Sequence, residues 1–135
     1  KVGDKMLFTR ESDYAVRIVR ALKDGGRLNI KTICEKEDIP EAFGYKILKK
    51  LANAGVISIT RGAMGGYSLQ KPVTELTLYD VIVSVEPDFA VMECIHHFCK
   101  RNGQGNLCKV HAELVGIQKM VEDLLKQKKL AEILE

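Results

Sequence analysis

The feature that most constrains the fold lies between residues 41 and 70, where a helical segment with two distinct faces precedes two short strands. Within EAFGYKILKKLANAG, apolar residues recur every three or four positions, as on the buried side of a helix. The segment therefore predicts a helix with an apolar inner face and a basic outer face. The inner positions are Phe43, Ile47, Leu48, Leu51 and Ala52. The outer positions are Tyr45, Lys46, Lys49, Lys50 and Asn53.

The two runs that follow this helix alternate apolar and polar residues. VISITR (56–61) places Ile57 and Ile59 on one side, and GYSLQ (66–70) does the same with Tyr67 and Leu69. A glycine-rich link joins them, which is typical of the turn of a β-hairpin. We therefore expect a β-hairpin with a glycine-rich tip and a basic base.

Two shorter helices precede the basic one. ESDYAVRIVRALK (11–23) has helical apolar spacing and begins beside Thr9 or Ser12 as a capping residue. Asn29 opens the second helix, and Pro40 suits the first position of the third. Three short helices followed by a hairpin are the order of a winged helix-turn-helix, in which the third helix enters the major groove of DNA. We therefore expect a mainly α domain with a small β-hairpin wing over residues 6–76.

The remaining residues, 77–135, predict a dimerisation region. Thr77 caps a helix that stops at Pro87, a cysteine-rich loop spans 87–108, and a long C-terminal helix is expected over 109–130. Apolar residues with 3-4-3 spacing predict that this helix packs on a partner helix, giving a homodimer. They are Leu114, Ile117, Val121 and Leu124. Residues 1–5, KVGDK, precede Met6 and are expected to be an expression remnant.

Charge is unevenly distributed along the chain. The net charge is +3, yet residues 42–74 contain five basic residues and no acidic one, so the rest of the chain carries −2. A local basic segment on a balanced chain favours a polyanionic partner, here double-stranded DNA. The alternative is an ordinary solvated helix face beside a simple hairpin. Besides the outer face of the third helix, the residues expected to contact DNA are Arg61, Gly62, Gly65 and Gly66.

No apolar run approaches the about 20 residues that span a bilayer, so we expect a soluble cytoplasmic protein without a membrane partner. Thiols stay reduced in that compartment, which argues against a disulfide framework.

The segment CIHHFCKRNGQGNLCKVH, residues 94–111, concentrates soft metal ligands. Cys94, Cys99 and Cys108 supply thiolates, and His111 lies one helical turn after the last of them. Such donors suit an iron–sulfur cluster or zinc. A reversible thiol switch and a small electron carrier are alternatives. No acid–base partner or oxyanion element accompanies the thiols, so we do not expect an enzyme.

Three sequence patterns and the cysteine loop together resemble the Rrf2 family of bacterial winged-helix transcription factors. The patterns are TRESDYAVR (9–17), RGxxGGY (61–67) and LxxVI (78–82). The resemblance extends from Met6 to the end of the chain and implies a homodimer on a palindromic operator, switched by an iron–sulfur cluster. It matches the three loop cysteines to the family's ligands. His111 matches the fourth ligand of a two-iron cluster, which we favour, and Asp13 of the partner chain would be the fourth ligand of a four-iron cluster.

Overall fold

The computed structural model describes residues 7–103, 105 and 107–135; the expected expression remnant at 1–5 lies outside them. Within these residues the regular structure is mainly helical, and two strands form one antiparallel hairpin, as the sequence predicts. The elements are α1 (Arg10–Ala21), α2 (Ile30–Glu37), α3 (Glu41–Asn53), β1 (Ile57–Thr60), β2 (Gly66–Leu69), α4 (Leu78–Val85), a single 3-10 turn (Glu93–Ile95), α5 (Lys109–Lys126) and α6 (Leu130–Ile133).

Side-chain hydrogen bonds cap the N-termini of α1 and α2. Thr9 accepts a hydrogen bond from the backbone N–H of Ser12 at 3.4 Å, and Asn29 accepts one from Thr32 at 2.8 Å. Each cap satisfies a backbone donor that the first helical turn leaves without a partner. Pro40 precedes α3 as its N-cap residue, one position earlier than the sequence predicts.

An ion pair joins α1 to α2, and a glycine allows α3 to pack closely on α2. Arg20 of α1 donates to the buried carboxylate of Glu37 on α2, with Nε at 3.0 Å from Oε1. This hydrogen bond raises the pKa of Arg20, because the charged guanidinium is stabilised by the carboxylate. Where α3 crosses α2, Gly44 leaves only enough room for Cys34, since a Cβ on Gly44 would lie 2.8 Å from the Cys34 sulfur.

The inner face of α3 is buried as expected at Ile47, Leu48 and Leu51, whereas Phe43 is 46% exposed. Phe43 lies in the first turn of α3 and contacts the Tyr14 ring at its margin, with 6.0 Å between ring centroids. The expectation that Phe43 is buried is therefore wrong, because its ring lies at the edge of the core beside Tyr14.

The hairpin pairs Ile57 with Leu69 and Ile59 with Tyr67. Leu28 extends the sheet, because its backbone exchanges hydrogen bonds of 3.0 and 2.8 Å with Tyr67. Ile57 is buried, whereas Ile59 is 50% exposed. The two side chains share one face, and only the base of the wing is covered by the helices.

The C-terminal region departs from the prediction at its end. The long helix stops at Lys126 instead of residue 130, and the chain turns into the short helix α6. Leu130 is fully buried in the core, and its N–H donates to the carbonyl of Leu76 at 2.7 Å. A straight helix through residue 130 would carry this side chain away from the core, so the helix ends where the chain must return.

No helix within the described residues is both long enough and apolar enough to cross a membrane.

Candidate DNA-binding surface and cysteine loop

The outer face of α3 is presented as the sequence predicts. Tyr45, Lys46, Lys49 and Asn53 are exposed, and Lys50 is half-buried. The core packing of the opposite face fixes this orientation, because one stripe of a helix cannot be buried without exposing the other. Three lysines and an exposed tyrosine on one helix face can contact phosphates and base edges.

Two of these lysines are paired with an acidic residue on another helix. Lys46 lies 2.8 Å from one carboxylate oxygen of Glu11, and Lys50 lies 2.8 Å from the other. The hydrogen bond from Lys46 and then that from Lys50 lower the pKa of Glu11 below its usual value of 4.5. The lysine face and the first turn of α1 therefore form a single charged cluster.

The wing residues predicted to contact DNA lie between the end of β1 and the start of β2. Arg61 is exposed directly after β1, and Gly62 adopts a φ of +102°. A Cβ on Gly65 would lie 2.1 Å from the carbonyl oxygen of Thr60, and one on Gly66 would lie 2.8 Å from that of Leu28. The last two glycines are therefore required by the close approach of the chain to itself.

The cysteine loop is organised around Asn102 and the start of α5. Asn102 donates its N–H to the carbonyl of Cys99 at 3.0 Å and accepts the N–H of Cys108 at 3.2 Å. Cys108 is the N-cap of α5, and its sulfur accepts the N–H of His111 at 3.4 Å. Asn102 therefore joins the segments that carry Cys99 and Cys108.

The donors fit an iron–sulfur cluster in chemistry, although they are not assembled around one point. Cys94, Cys99 and Cys108 are half-buried free thiols, and Nδ1 of His111 is buried without a hydrogen-bond partner in the described part of the chain. A buried ring nitrogen without a partner is costly, and a ligand would satisfy it. Within residues 7–103, 105 and 107–135, however, no three His, Cys, Asp or Glu side chains are close enough to share an ion.

The alternative fourth ligand, Asp13, lies on α1 and pairs with Arg17 at 3.1 Å. It also lines an apolar groove of about 640 Å³ between residues 7–9, α1, α4 and α5. The other residues that line this groove are Leu7, Phe8, Thr9, Ser12, Val16, Leu78, Ile82 and Leu125.

The segment between α4 and the 3-10 turn is anchored to α5 by a buried amide. Gln118 accepts the N–H of Val91 at 2.8 Å and donates to the carbonyl of Phe89 at 3.0 Å and to Glu122 at 2.9 Å. The carbonyl of Phe89 also lies 3.1 Å from Nε2 of His96. The start of the cysteine loop is therefore held against α5.

The apolar seam predicted on α5 is largely uncovered. Ile117 is 42% exposed and Leu124 is 66% exposed, while Leu114 and Val121 are half-buried. Val110 and Met120, also exposed, widen the same face. The helix also contacts α4 and the 3-10 turn.

The sequence did not predict the contacts that two residues, Glu11 and Gln118, make. Glu11 appeared only as part of a family pattern, and Gln118 was an ordinary polar residue in a long helix. Its spacing gave one signal, because Gln118 lies four residues after Leu114 and three before Val121 and so shares their side of the helix. Nothing in the local sequence indicated that Glu11 would meet α3.

Comparisons with known proteins place this architecture in a family. A family model described as "Rrf2: Iron-dependent Transcriptional regulator" matches residues 8–135. Protein aau3 of Rhizobium meliloti (strain 1021) is 37% identical over 91 residues, which are 66% of this chain and 59% of that protein. The chain therefore aligns with less than two thirds of this curated relative.

Solved structures show the same fold. CymR, the global cysteine regulator of B. subtilis, has a TM-score of 0.74 at 22% identity, with 93% of this chain and 94% of that chain covered. IscR of T. potens has a TM-score of 0.73 at 22% identity, with coverage of 97% and 88%. The oxidised form of Staphylococcus aureus CymR has a TM-score of 0.69 at 22% identity, with coverage of 96% and 97%. Members of the family are DNA-binding transcriptional regulators and not enzymes. Because the family model spans nearly the whole chain, this chain belongs to the Rrf2 family.

Proposed function

We propose that this chain is a cytoplasmic transcriptional regulator that binds double-stranded DNA through α3 and the hairpin wing. The observation that carries the proposal is the exposed face of α3, on which Lys46, Lys49 and Lys50 accompany Tyr45. The lysines would contact phosphates, which position a protein on duplex DNA. Tyr45 would approach base edges in the major groove, and Arg61 would contact the backbone from the wing.

Two copies would bind a palindromic operator. The largely uncovered seam of α5 supports this part of the proposal, because a row of exposed and half-buried apolar side chains at 3-4-3 spacing can pack on its own copy. A two-fold axis through paired α5 helices would present two α3 helices to successive turns of the major groove, about 34 Å apart.

Control by an iron–sulfur cluster is the third part of the proposal. Cys94, Cys99 and Cys108 would hold it, with His111 as the fourth ligand, or Asp13 of a second copy in its place. A two-iron cluster is favoured and a four-iron cluster is the alternative. When bound, such a cluster supplies a site that reacts with oxidants or is lost when iron is scarce. The orphaned Nδ1 of His111 supports the role given to this residue.

A thiol switch is the second candidate for control, and zinc would use the same donors. All three loop cysteines are free, and Asn102 connects the segments that carry Cys99 and Cys108. CymR of Staphylococcus aureus has been solved in an oxidised form, which supports this alternative for a chain of the same fold. In such a switch, two thiols lose two electrons and two protons to an oxidant such as a peroxide and form one disulfide.

The binding surface is tested by replacing the lysines of α3 one at a time with alanine. Each variant should bind any duplex more weakly, and the slope of log affinity against log salt should fall by about 1 per lost phosphate contact. Tyr45→Ala should change the preferred sequence instead. Lys119→Ala removes a lysine from α5 and is the control, since its slope should equal that of the unmodified chain. Unaltered slopes for all three α3 variants would contradict the proposed surface.

The form of control is tested by anaerobic reconstitution with iron and sulfide, followed by metal and sulfide analysis and visible absorption. We expect a coloured protein whose absorption is lost in Cys108→Ala and changed in His111→Ala. A colourless protein with zinc, or with a disulfide on mild oxidation, would favour the second candidate. An unchanged spectrum in His111→Ala would move the fourth-ligand role to Asp13 of the partner subunit or to another group.

A further inference from the structure

Glu11 holds two of the three lysines of the proposed DNA surface in the free protein. Its two carboxylate oxygens each lie 2.8 Å from one ammonium group, that of Lys46 and that of Lys50. These lysines are four residues apart, so they lie one above the other on α3 and converge on one anion. Lys49 takes part in no ion pair within the described residues.

The arrangement resembles the one that a DNA phosphate would make. A carboxylate and a phosphate both offer two anionic oxygens to two ammonium donors, and such charge-assisted hydrogen bonds form at similar distances. Glu11 also lies in the first turn of α1, where the positive end of the helix dipole stabilises a negative charge. The lowered pKa of Glu11 agrees with a carboxylate that stays ionised at neutral pH.

The lysines nevertheless remain accessible. The side chain of Lys46 is 60% exposed and that of Lys50 is 36% exposed, whereas Glu11 is 25% exposed. An approaching phosphate can therefore reach both ammonium groups from the solvent side, but it must share them with Glu11 or displace it.

We propose that Glu11 is an intramolecular competitor of DNA phosphates that weakens the binding of Lys46 and Lys50 to duplex of any sequence. Binding without sequence preference rests almost entirely on such contacts, so Glu11 limits how strongly the protein is held on non-operator DNA. This inference rests on the proposed role of α3 in DNA binding. It adds a residue of α1 that sets the strength of that binding.

The test compares Glu11→Gln with the unmodified chain on a duplex of arbitrary sequence, by fluorescence anisotropy at about 50 to 200 mM salt. The amide keeps the size of the side chain and removes the charge. We expect three- to tenfold tighter binding at the lowest salt and a salt slope steeper by up to about 1. In the unmodified chain, DNA binding frees the Glu11 carboxylate, which then takes up a cation from solution; in Glu11→Gln there is no such carboxylate, so the net release of cations is larger. Circular dichroism and thermal unfolding establish that the variant is folded.

Asp123→Asn is the matched control. Asp123 pairs with Lys119 at 3.5 Å on α5, so this substitution also neutralises a lysine-bound carboxylate and changes the net charge equally. It should leave the salt slope unaltered and the affinity nearly so. Equal effects of the two substitutions would overturn the inference, because the change in net charge alone would then explain the effect of Glu11→Gln. Weaker binding by Glu11→Gln would overturn it as well, by showing that Glu11 helps the lysines to bind.

A double-substitution cycle separates this inference from the proposed function. In a Lys46→Ala/Lys50→Ala background, Glu11→Gln should no longer tighten binding, since the competitor has lost its partners. A tightening that persists there overturns the inference alone. If the double lysine variant binds DNA like the unmodified chain, the proposed DNA surface itself fails.

Discussion

Gly44 decides how closely α3 approaches α2. A helix interior usually gains stability when glycine is replaced by alanine, because the unfolded chain loses freedom. Here the added Cβ would lie 2.8 Å from the sulfur of buried Cys34. The sulfur belongs to a short side chain in a packed core, so it cannot move away without shifting the helices.

We therefore expect Gly44→Ala to lower the free energy of unfolding by about 1 to 3 kcal/mol, the usual range for overpacking. Combined with Cys34→Ala, which removes the sulfur, the same substitution should cost much less than it does alone. Urea unfolding of the two single variants and the double variant measures this coupling. A stabilised Gly44→Ala variant would show that the helices separate freely at this crossing.

At the scale of elements, α5 presents a covered side and an uncovered apolar side. Leaving the uncovered seam in water is unfavourable, since burial of a large aliphatic side chain is worth about 1.5–3 kcal/mol. The seam residue Ile117 is 42% exposed, and Val115, on the same helix but about 140° around from the seam, is 45% exposed. The two side chains therefore lie on different sides of α5 but are exposed to nearly the same extent.

We expect Ile117→Asp to convert a homodimer into a monomer and Val115→Asp to leave it a dimer. An aspartate in the seam would bury an unpaired charge in both copies, whereas one on the other side stays hydrated. Sedimentation velocity at micromolar concentration distinguishes the two states. A monomeric unmodified chain, or equal behaviour of both variants, would contradict dimerisation through this seam.

At the scale of the whole molecule, the segment that leaves α4 is attached both to the region of α1 and to α5. Ser12 on α1 donates to the carboxylate of Glu86, and the rings of Phe8 and Phe89 lie 5.0 Å apart. Gln118 binds the same segment from the side of α5. These contacts connect α1, the start of the cysteine loop and the proposed dimer helix.

Gln118→Leu tests this connection. It leaves the N–H of Val91 and the carbonyl of Phe89 without their α5 partner, and each unsatisfied buried group costs about 1–3 kcal/mol. We expect lower stability and faster hydrogen exchange at residues 89–92, measured by mass spectrometry. Gln127→Leu, at an exposed position after α5, is the control and should change neither. Unchanged exchange in Gln118→Leu would show that the segment is held by its other contacts.

The sequence by itself determined the local elements, because their signals are local. Capping by Asn29 and Thr77, the two faces of α3 and the hairpin all follow from side-chain spacing and backbone preference. For the first helix the sequence left Thr9 and Ser12 as alternatives, and the structure shows Thr9 as the cap. The family patterns and the cysteine loop added the class of protein, which the match over residues 8–135 confirms.

Only the tertiary structure decided which elements meet. Glu11 contacts Lys50 across 39 residues of chain, and Gln118 contacts Val91 across 27, so neither partner appears in any local pattern. The exposure of Ile59 and the burial of Leu130 have the same origin. Periodicity determines which side chains share a face, but the extent of the core decides how much of that face is covered, and that extent is set by the packing of all the helices together.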